Sequence, residues 1–407
     1  MQLSRLAQDA KISGTLAIDE QYQIRKSAGE DVISLGAGQP DFPTVEAGAK
    51  AGIEAIETGR TRYTPVAGTP ELRAAIARKF KVENDLAVTA NQVVVTSGAK
   101  QAIYHALLAL VDPGERVLVP QPAWPSYVEM VRLVGAEPAP IKLDASEGYK
   151  LTVERLVKAL GRLPRRSGVL ILNQPANPTG ATYTRDELAR IAEVVRGEDL
   201  FVIADEIYEH LSFDEPFTSF ATLPGMRART ITVNGFSKAF SMTGWRVGYA
   251  IGPAPVMRAM IAIQSHTSGN AASISQHAAL KALEAALEGG QGRAPLVRMQ
   301  NAFKRRREIV SKLLDTIPGV RYVRPGGAFY FFIDVSAHYG KPLKDGRIVR
   351  DSVALAVYLL ESAGVAVVPG EAFGDDRCIR ISFAASAEDL TVALKRIGKA
   401  LDPAAQA

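Results

Sequence analysis

The middle of the chain alternates short β-branched runs with amphipathic helical patterns, and this alternation restricts the possible folds more than any other feature. Repeated strand and helix units predict a mostly parallel sheet with helices on both faces. In such sheets ligands bind at the carboxyl ends of the strands, so the residues after each run are the first functional candidates. The predicted strands are residues 92–96, 116–120, 136–141, 168–173, 200–205, 230–233 and 247–251.

Outside this region the pattern changes. Helical patterns dominate after residue 251, a Gly-rich break covers 289–292, and a long amphipathic pattern at 295–314 leads into short strands and two more helices. The sequence therefore predicts an α/β protein. Its mostly parallel seven-stranded sheet is sandwiched by helices in a large domain of residues 46–295. Residues 1–45 and 296–407 form an N-terminal arm and a smaller α+β domain.

Composition excludes several classes of function. The single cysteine, Cys378, allows no intrachain disulfide, and the five histidines show no metal-type spacing, so neither a disulfide framework nor a metal site is expected. The net charge is +5, and the one basic cluster, residues 304–307, lies in a helical pattern predicted to face solvent. We expect no nucleic-acid partner. Because no signal peptide and no membrane-length apolar run is present, we expect a cytoplasmic protein without a membrane partner.

Three side chains follow the last strands of the alternation. Asp205 directly follows the apolar run 201–204. It therefore emerges from a buried strand, and its carboxylate needs a cationic partner. Lys238 follows the next run among small residues, where it is either a desolvated amine able to attack a carbonyl or an ordinary surface lysine. Arg246 comes eight residues later. A carboxylate for a pyridinium, a lysine for an imine and an arginine for a phosphate are the groups expected around pyridoxal phosphate.

Other strand ends permit two interpretations each. The turn at Gly98 opens a helix and is either an anion site or a plain turn. Trp124, between two prolines, either presents its face to a planar ring or caps the core. Asn177 either donates to a ligand oxygen or serves turn geometry. Gly36 and Gly38 allow close backbone approach, but the Pro-Asp that follows excludes a dinucleotide fingerprint there.

Five motifs together resemble one family along residues 3 to 401. They are NPTG at 177–180, DEIYEHL at 205–211, SKAFSMTGWRVGY at 237–249, PGEAFG at 369–374 and IRISFA at 379–384. The chain resembles the fold-type-I pyridoxal-phosphate enzymes, specifically class I/II aminotransferases close to bacterial aspartate aminotransferases. The resemblance implies a ping-pong exchange of an amino group between an amino acid and a 2-oxo acid.

The resemblance also implies residue roles. Lys238 binds pyridoxal 5'-phosphate as an imine and moves the proton, Asp205 pairs with the ring nitrogen, and Arg380 pairs with the substrate α-carboxylate, which Gly38 also contacts through its backbone. Further cofactor contacts are implied for Tyr208 and Asn177 at the phenolic oxygen, Trp124 on the ring, and Gly98, Ala99, Lys100, Ser237 and Arg246 at the phosphate. From the residues alone Tyr63 reads best as a packed loop aromatic. The resemblance makes it a phosphate contact to the neighbouring subunit, and so implies a homodimer with shared active sites.

The substrate is less constrained than the chemistry. In the subgroup that the chain resembles most, an N-terminal Ser-x-Thr, here Ser13 and Thr15, and a lysine, here Lys100, help bind a side-chain carboxylate. This favours L-aspartate with 2-oxoglutarate. Ser13 and Thr15 also fit a merely polar N-terminal arm. Departures around the side-chain pocket leave prephenate, aromatic or broad specificity open.

Two other classes of protein compete with an aminotransferase: a lyase on the same scaffold and a non-enzymatic regulator. Such regulators carry a fused DNA-binding domain, for which this sequence leaves no room before the resemblance begins.

Overall fold

The computed structural model describes residues 3, 4, 7, 8, 14–161 and 168–402. In the first helix it describes the side chains of Ile18 and of residues 20–27. The helices and longer strands are, in chain order, α1 (Gly14–Ser27), β1 (Ile33–Ser34), α2 (Glu46–Glu57), α3 (Pro70–Asn84), β2 (Val93–Thr96), α4 (Ala99–Leu110), β3 (Arg116–Gln121), α5 (Pro125–Leu133), β4 (Glu137–Lys142), α6 (Val153–Leu160), β5 (Val169–Asn173), α7 (Arg185–Gly197), β6 (Phe201–Asp205), β7 (Thr230–Gly235), β8 (Gly248–Ile251), α8 (Ala254–Thr267), α9 (Ser273–Glu288), α10 (Gly290–Leu314), β9 (Arg321–Tyr322), β10 (Tyr330–Asp334), α11 (Ser352–Ala363), β11 (Val365–Ala366), β12 (Val368–Pro369), β13 (Cys378–Ser382) and α12 (Ala387–Leu401).

The large sheet has seven strands in the order β2–β8–β7–β6–β5–β3–β4. Only β8 runs against its neighbours, and the other pairs are parallel. The predicted mostly parallel seven-stranded sheet is confirmed. Because β6 lies between two parallel neighbours, Asp205 comes out at the centre of the sheet's carboxyl edge.

The strands are buried on both faces because they are apolar at successive positions. In β2, Val93 and Val95 pack with helices α3 and α9, whereas Val94 packs on the opposite side with α4 and α8. A strand with two apolar faces is stable only between two helical layers, since each face must be removed from water. The alternating pattern thus produced the layered architecture.

A second, smaller set of elements lies beside the large sheet. Strands β12, β13, β10 and β9 form an antiparallel sheet in that order, and α10, α11 and α12 pack with it. The short strand β1 pairs in parallel with β11, with Ile33 opposite Val365. This pairing ties the segment after α1 to the C-terminal part of the chain. The boundaries 46–295 for the large domain stay a prediction.

Two helical boundaries differ from the sequence expectation. The helical patterns predicted after residue 251 form two helices before the Gly-rich segment, α8 and α9, separated at residues 268–272. The long helix α10 begins at Gly290, five residues before the predicted start. The chain reverses at Gly289, which has a φ of +78°. Gly292 lies inside α10, where an added Cβ would collide with the Ala285 carbonyl. The glycine therefore serves close helix packing rather than a break.

The prediction that the basic cluster 304–307 faces solvent is wrong for Arg307. Its side chain is 1% exposed and makes two hydrogen bonds to the Asp214 carboxylate, at 2.6 and 2.8 Å. Arg306 forms a similar two-bond pair with Asp41, both at 2.7 Å. A buried guanidinium is stable here because a carboxylate satisfies it.

Within the described residues, none of the helices has the length and apolar character required to cross a bilayer.

Candidate active site

A cavity of about 940 Å³ lies at the carboxyl ends of the large sheet. Its walls come from the loops after β2, β5, β6 and β7 on one side, and from α1, the loop after β1 and β13 on the other. Most residues singled out in the sequence meet here. The predicted residues that line the cavity are Gly38, Ala99, Lys100, Trp124, Asn177, Asp205, Tyr208, Ser237, Lys238, Arg246 and Arg380.

Asp205 is a buried carboxylate on the cavity floor, with 3% of its surface exposed. The Tyr127 hydroxyl donates to its Oδ2 at 2.5 Å and the Ile207 N–H donates to Oδ1 at 3.3 Å. Neither donor carries a charge. Burial raises the pKa of Asp205 to about 6, although both hydrogen bonds act in the opposite direction. The carboxylate is thus placed to hold a cationic or protonated group of a ligand.

Lys238 follows β7 and reaches into the same cavity. Its Nζ donates a short hydrogen bond to the Gly38 carbonyl and lies 5.7 Å from the centre of the Tyr208 ring. Burial, followed by the positive charge of Arg380, lowers the pKa of the Lys238 amine to about 8. At pH 7 roughly a tenth of such an amine is unprotonated, far more than for an ordinary lysine, and the unprotonated form can act as a nucleophile or base. The surface-lysine alternative does not describe this environment.

The small residues around Lys238 have a steric reason. Gly235 ends β7 so close to the neighbouring strand that an added Cβ would come within 2.9 Å of the Gly248 Cα. At Gly248 an added Cβ would lie 2.5 Å from the backbone nitrogen of Ala99. Without side chains at these positions, the Lys238 loop and the start of α4 approach each other directly.

An anion-binding corner is formed where α4 begins. Gly98 is the residue before the helix, has a φ of +83° and provides no side-chain cap, so the first N–H groups of α4 remain available. The guanidinium of Arg246 packs over it, since a Cβ on Gly98 would meet Arg246 Nη2 at 2.6 Å. Ser237 and Ala99 line the adjoining cavity wall. The start of α4 and the guanidinium of Arg246 together favour the binding of a phosphate-sized anion.

Arg380 lies on the opposite wall, on β13, and is 3% exposed. Its Nη1 donates to the Asn177 side-chain oxygen at 3.1 Å and its Nη2 donates to the Gly36 carbonyl at 2.7 Å. Its centre lies 4.4 Å from the Tyr330 ring and 5.0 Å from the Phe373 ring. The guanidinium plane is therefore fixed by two aromatic rings, its two Nη atoms are bound to acceptors, and its buried Nε has no hydrogen-bond partner among the described residues, which leaves it able to bind a carboxylate.

Lys100 and Trp124 form one side of the cavity together. The Lys100 Nζ lies 4.9 Å from the centre of the Trp124 ring, an arrangement typical of a cation–π contact. The Trp124 ring in turn meets the Tyr127 ring edge to face at 5.3 Å. Burial, and next the charge of Arg246, lower the pKa of Lys100. The core-cap interpretation of Trp124 is incomplete, because this side chain borders the cavity.

Among the predicted residues whose side chains the structure describes, Tyr63 does not line this cavity, and Gly98 lies just behind its wall under Arg246. Tyr63 is 98% exposed on its loop and lies apart from the site of its own chain. Ser13 lies outside the described residues, and Thr15 belongs to α1 at a position whose side chain lies outside them too. Their roles stay predictions.

The sequence reasoning missed Tyr127 and Tyr330. Both line the cavity and are almost fully buried, and their hydroxyls bond to Asp205 and Tyr208, respectively. The hydroxyl of a tyrosine buried in a strand or helix needs a hydrogen-bond partner, and this need was the one signal in the sequence. That signal does not say which partner, because the partners are distant in the chain.

A second group of titratable side chains lies away from the cavity, under α3 and α10. Ligand atoms of Glu83, Glu209 and His210 lie within 4.8 Å of one another. The buried Lys79 amine forms a very short ion pair with Glu209, and Arg293 bonds Glu83 at 2.5 Å. The protein's own cations thus balance these carboxylates, and the group acts as a structural ion-pair network.

Known proteins share both the sequence and the fold. The family model for aminotransferase class I and II matches residues 30–397. A bifunctional aspartate aminotransferase and glutamate/aspartate-prephenate aminotransferase from Petunia hybrida is 48% identical over 401 residues, covering 98% of this chain and 82% of that protein. An aspartate/prephenate aminotransferase from Cereibacter sphaeroides is 45% identical, covering 95% of each chain. The crystal structure of the aspartate aminotransferase from Rhizobium meliloti superposes with a TM-score of 0.91 at 40% identity, covering 99% of each chain.

The similarities to these three proteins extend over at least 95% of this chain and over 82% to 99% of the proteins compared. The chain belongs to the class I and II aminotransferase family. The family indicated by the five motifs is confirmed, and so is the prediction that the chain is an aminotransferase.

Proposed function

We propose that the enzyme uses pyridoxal 5'-phosphate to move an amino group from L-aspartate to 2-oxoglutarate, giving oxaloacetate and L-glutamate. The observation that carries the choice of aspartate is Lys100, a cation that lines the cavity in addition to Lys26, Lys238, Arg246 and Arg380. Arg380 suits the α-carboxylate, and Lys100, held against Trp124, adds a positive charge for a side-chain carboxylate. A monocarboxylic amino acid would leave this lysine without a partner.

The cavity fits the cofactor on three independent observations. Asp205 is a buried carboxylate that lacks a compensating cation among its hydrogen-bond donors, which suits a protonated ring nitrogen. Lys238 has a lowered pKa and reaches the cavity, which suits attachment to an aldehyde. The start of α4 with Arg246 suits a phosphate. When bound, the cofactor would supply an electron sink that makes the substrate Cα–H bond acidic.

The chain's own residues then account for the remaining chemistry. Arg380 binds and orients the α-carboxylate, so that the Cα–H bond points toward the Lys238 amine. Lys238 Nζ takes the Cα proton and returns it, because its pKa of about 8 lies near the operating pH. When the cofactor is bound, Asp205 would keep its ring nitrogen protonated, Asn177 and Tyr208 would hold its phenolic oxygen, and Trp124 would pack on its ring.

A second candidate substrate is prephenate. It is favoured by the two relatives above whose names include prephenate, at 48% and 45% identity. Prephenate carries a second carboxylate, as aspartate does, so Lys100 suits both. The two substrates differ in size rather than in charge.

The testing experiment is a panel of amino donors and acceptors with product analysis. Aspartate with 2-oxoglutarate should yield oxaloacetate and glutamate in equal amounts, and glutamate with prephenate tests the alternative. Release of ammonia from aspartate, without a matching amount of glutamate from 2-oxoglutarate, would indicate a lyase and overturn the proposal. If neutral donors are turned over as fast as aspartate is, Lys100 does not select substrates by a side-chain carboxylate.

We also infer a homodimer in which Tyr63 contributes to the partner's site. The Tyr63 loop is held firmly: the Gln276 amide donates to the Thr64 hydroxyl at 2.9 Å and the Gln264 amide donates to the Val66 carbonyl at 2.8 Å. A large aromatic side chain on such an anchored loop, 98% exposed in the single chain, suits a contact with a second copy. Sedimentation analysis tests the dimer. Tyr63→Ala should lower cofactor affinity, and a monomer of full activity would contradict the inference.

A further inference from the structure

The small sheet places Tyr330 next to the carboxylate-binding arginine. In the β10–β13 pair Phe332 stands opposite Arg380, so Tyr330, two residues before Phe332, lies diagonally from Arg380 on the same face. The guanidinium centre lies 4.4 Å from the Tyr330 ring centre. Arg380 therefore acts on Tyr330 through a short, buried contact.

The other end of Tyr330 meets the cofactor side of the cavity. Its hydroxyl oxygen lies 2.9 Å from the hydroxyl oxygen of Tyr208, and the two rings meet nearly perpendicularly, at 83°. Both side chains are buried, with 1% and 4% of their surfaces exposed. A hydrogen bond between two buried hydroxyls is polarised by nearby charges, because water does not screen it.

Each phenol carries one hydrogen, which fixes the direction of the chain of bonds. When Tyr208 donates its hydrogen to an oxygen of the bound cofactor, the bond within the hydroxyl pair must have Tyr330 as donor and the Tyr208 oxygen as acceptor. We propose that Tyr330 is a positioning residue that transmits the charge of Arg380 to Tyr208 through this hydroxyl pair. The inference rests on the proposed role of Tyr208 toward the cofactor.

The relay links substrate binding to the reacting group. The positive guanidinium makes Tyr330 a stronger donor, so that Tyr208 becomes a stronger donor toward the cofactor oxygen and stabilises its negative charge. When a carboxylate pairs with Arg380, that field weakens and the stabilisation falls. A signal from the α-carboxylate site thus reaches the atoms beside Lys238 without a movement of the backbone.

Other groups around the hydroxyl pair bear on its titration. They are Arg380 from β13, Asp205 from β6, Lys238 after β7 and Tyr127 from α5. Burial raises the pKa of Tyr208 and of Tyr330, and the charge of Arg380 lowers both. Both phenols are therefore neutral donors at working pH, as the relay requires.

The test is a spectrophotometric pH titration of the cofactor bound to Lys238, with and without the dicarboxylate maleate. In Tyr330→Phe we expect the pKa read from the absorption spectrum to rise by roughly 0.5 unit, since one of two linked hydrogen bonds is lost. We also expect maleate to shift that pKa less in Tyr330→Phe than in the unmodified enzyme. Phenylalanine keeps the ring under Arg380, so the carboxylate site itself is retained.

Two variants serve as controls. Tyr358→Phe removes another buried hydroxyl, bonded at 2.9 Å to the Ala400 carbonyl far from the cavity, and should leave the spectral pKa unchanged. Tyr208→Phe should raise it by more than Tyr330→Phe does. An unchanged pKa and an unchanged maleate shift in Tyr330→Phe would overturn the relay. An unmodified enzyme without a Lys238-dependent absorption band would instead overturn the proposed cofactor role, and the relay with it.

Discussion

The hydroxyl of Tyr127 donates a 2.5 Å hydrogen bond to the carboxylate of Asp205. The bond favours the charged carboxylate, yet burial has the larger effect and the pKa of Asp205 is raised to about 6. The protein therefore tolerates a charge at this position at a cost in folding free energy, and a cationic ligand would offset that cost. Asp205 is a binding group whose ligand contributes to stability.

This cost predicts the pH dependence of the cofactor-free protein. Folding raises the pKa of Asp205, so the contribution of its neutral carboxyl group to the free energy of unfolding is fully present below about pH 4. That contribution is lost as the pH rises through about 6. The loss is on the order of 3 kcal/mol. In urea unfolding at about pH 4.5 and 7.5, the change in unfolding free energy should be smaller for Asp205→Asn than for the unmodified protein. Asp199→Asn, at a carboxylate that is 94% exposed, should behave like the unmodified protein. An equal change in unfolding free energy between the two pH values in all three proteins would contradict the burial argument.

Lys238→Ala should abolish amino-group transfer. The substitution removes both the attachment point and the general base, so kcat should fall by more than about 1,000-fold, and the absorption band of lysine-bound cofactor should vanish. Lys281→Ala, at an exposed lysine paired with Glu284, is the matched control and should retain full activity. A yellow lysine-bound cofactor in the Lys238→Ala protein would show that another amine performs this role.

Arg380→Lys should weaken every substrate, whatever its side chain. A lysine keeps the charge but makes only a point contact, and loss of one charge-assisted hydrogen bond of about 2 kcal/mol corresponds to a roughly 30-fold increase in KM. Steady-state kinetics with aspartate and glutamate measure this effect. Arg377→Lys, three residues away and paired with Asp375 at the surface, should leave KM unchanged. If KM is the same in Arg380→Lys as in the unmodified enzyme, the α-carboxylate binds elsewhere.

Lys100→Ala should separate acidic from neutral substrates. The kcat/KM for aspartate should fall by about 10-fold or more, because a charge-assisted contact inside the cavity is lost, whereas a neutral donor such as phenylalanine should change by less than about 2-fold. The neutral donor in the same variant is the internal control for cofactor binding. Equal losses for the two donors would place Lys100 at the cofactor rather than at the substrate side chain.

The sequence predicted the sheet-side half of the cavity well. Asp205, Lys238 and the Gly98 turn each follow a strand, and parallel strands bring their carboxyl ends to one edge, so strand order in the sequence was sufficient to place them together. The opposite half needed the resemblance to a family. Arg380 lies in an apolar strand of the small sheet, where period and composition indicate core rather than binding.

The tyrosine partners and the buried arginine were outside the reach of sequence patterns. Tyr127 lies 78 residues from Asp205 along the chain, and Tyr330 lies 122 residues from Tyr208. The first contact depends on how α5 packs on the large sheet and the second on how the small sheet packs beside it, and neither arrangement has a local signature. Arg307 was misread for a similar reason, since its partner Asp214 comes from a loop 93 residues earlier.

The division of the cavity between two walls has a consequence for laboratory evolution. The wall built on the large sheet holds the groups assigned to the cofactor, and the wall built on β10, β13 and α1 holds Tyr330 and Arg380. Among the described residues, hydrogen bonds from Arg380 to Asn177, from Lys238 to the Gly38 carbonyl and between Tyr330 and Tyr208 join the two walls, and neither Ile18 nor Tyr22 takes part in them. Libraries of variants restricted to α1, at Ile18, Tyr22 and their neighbours, can therefore alter which side chain is accepted while the reaction itself is inherited unchanged.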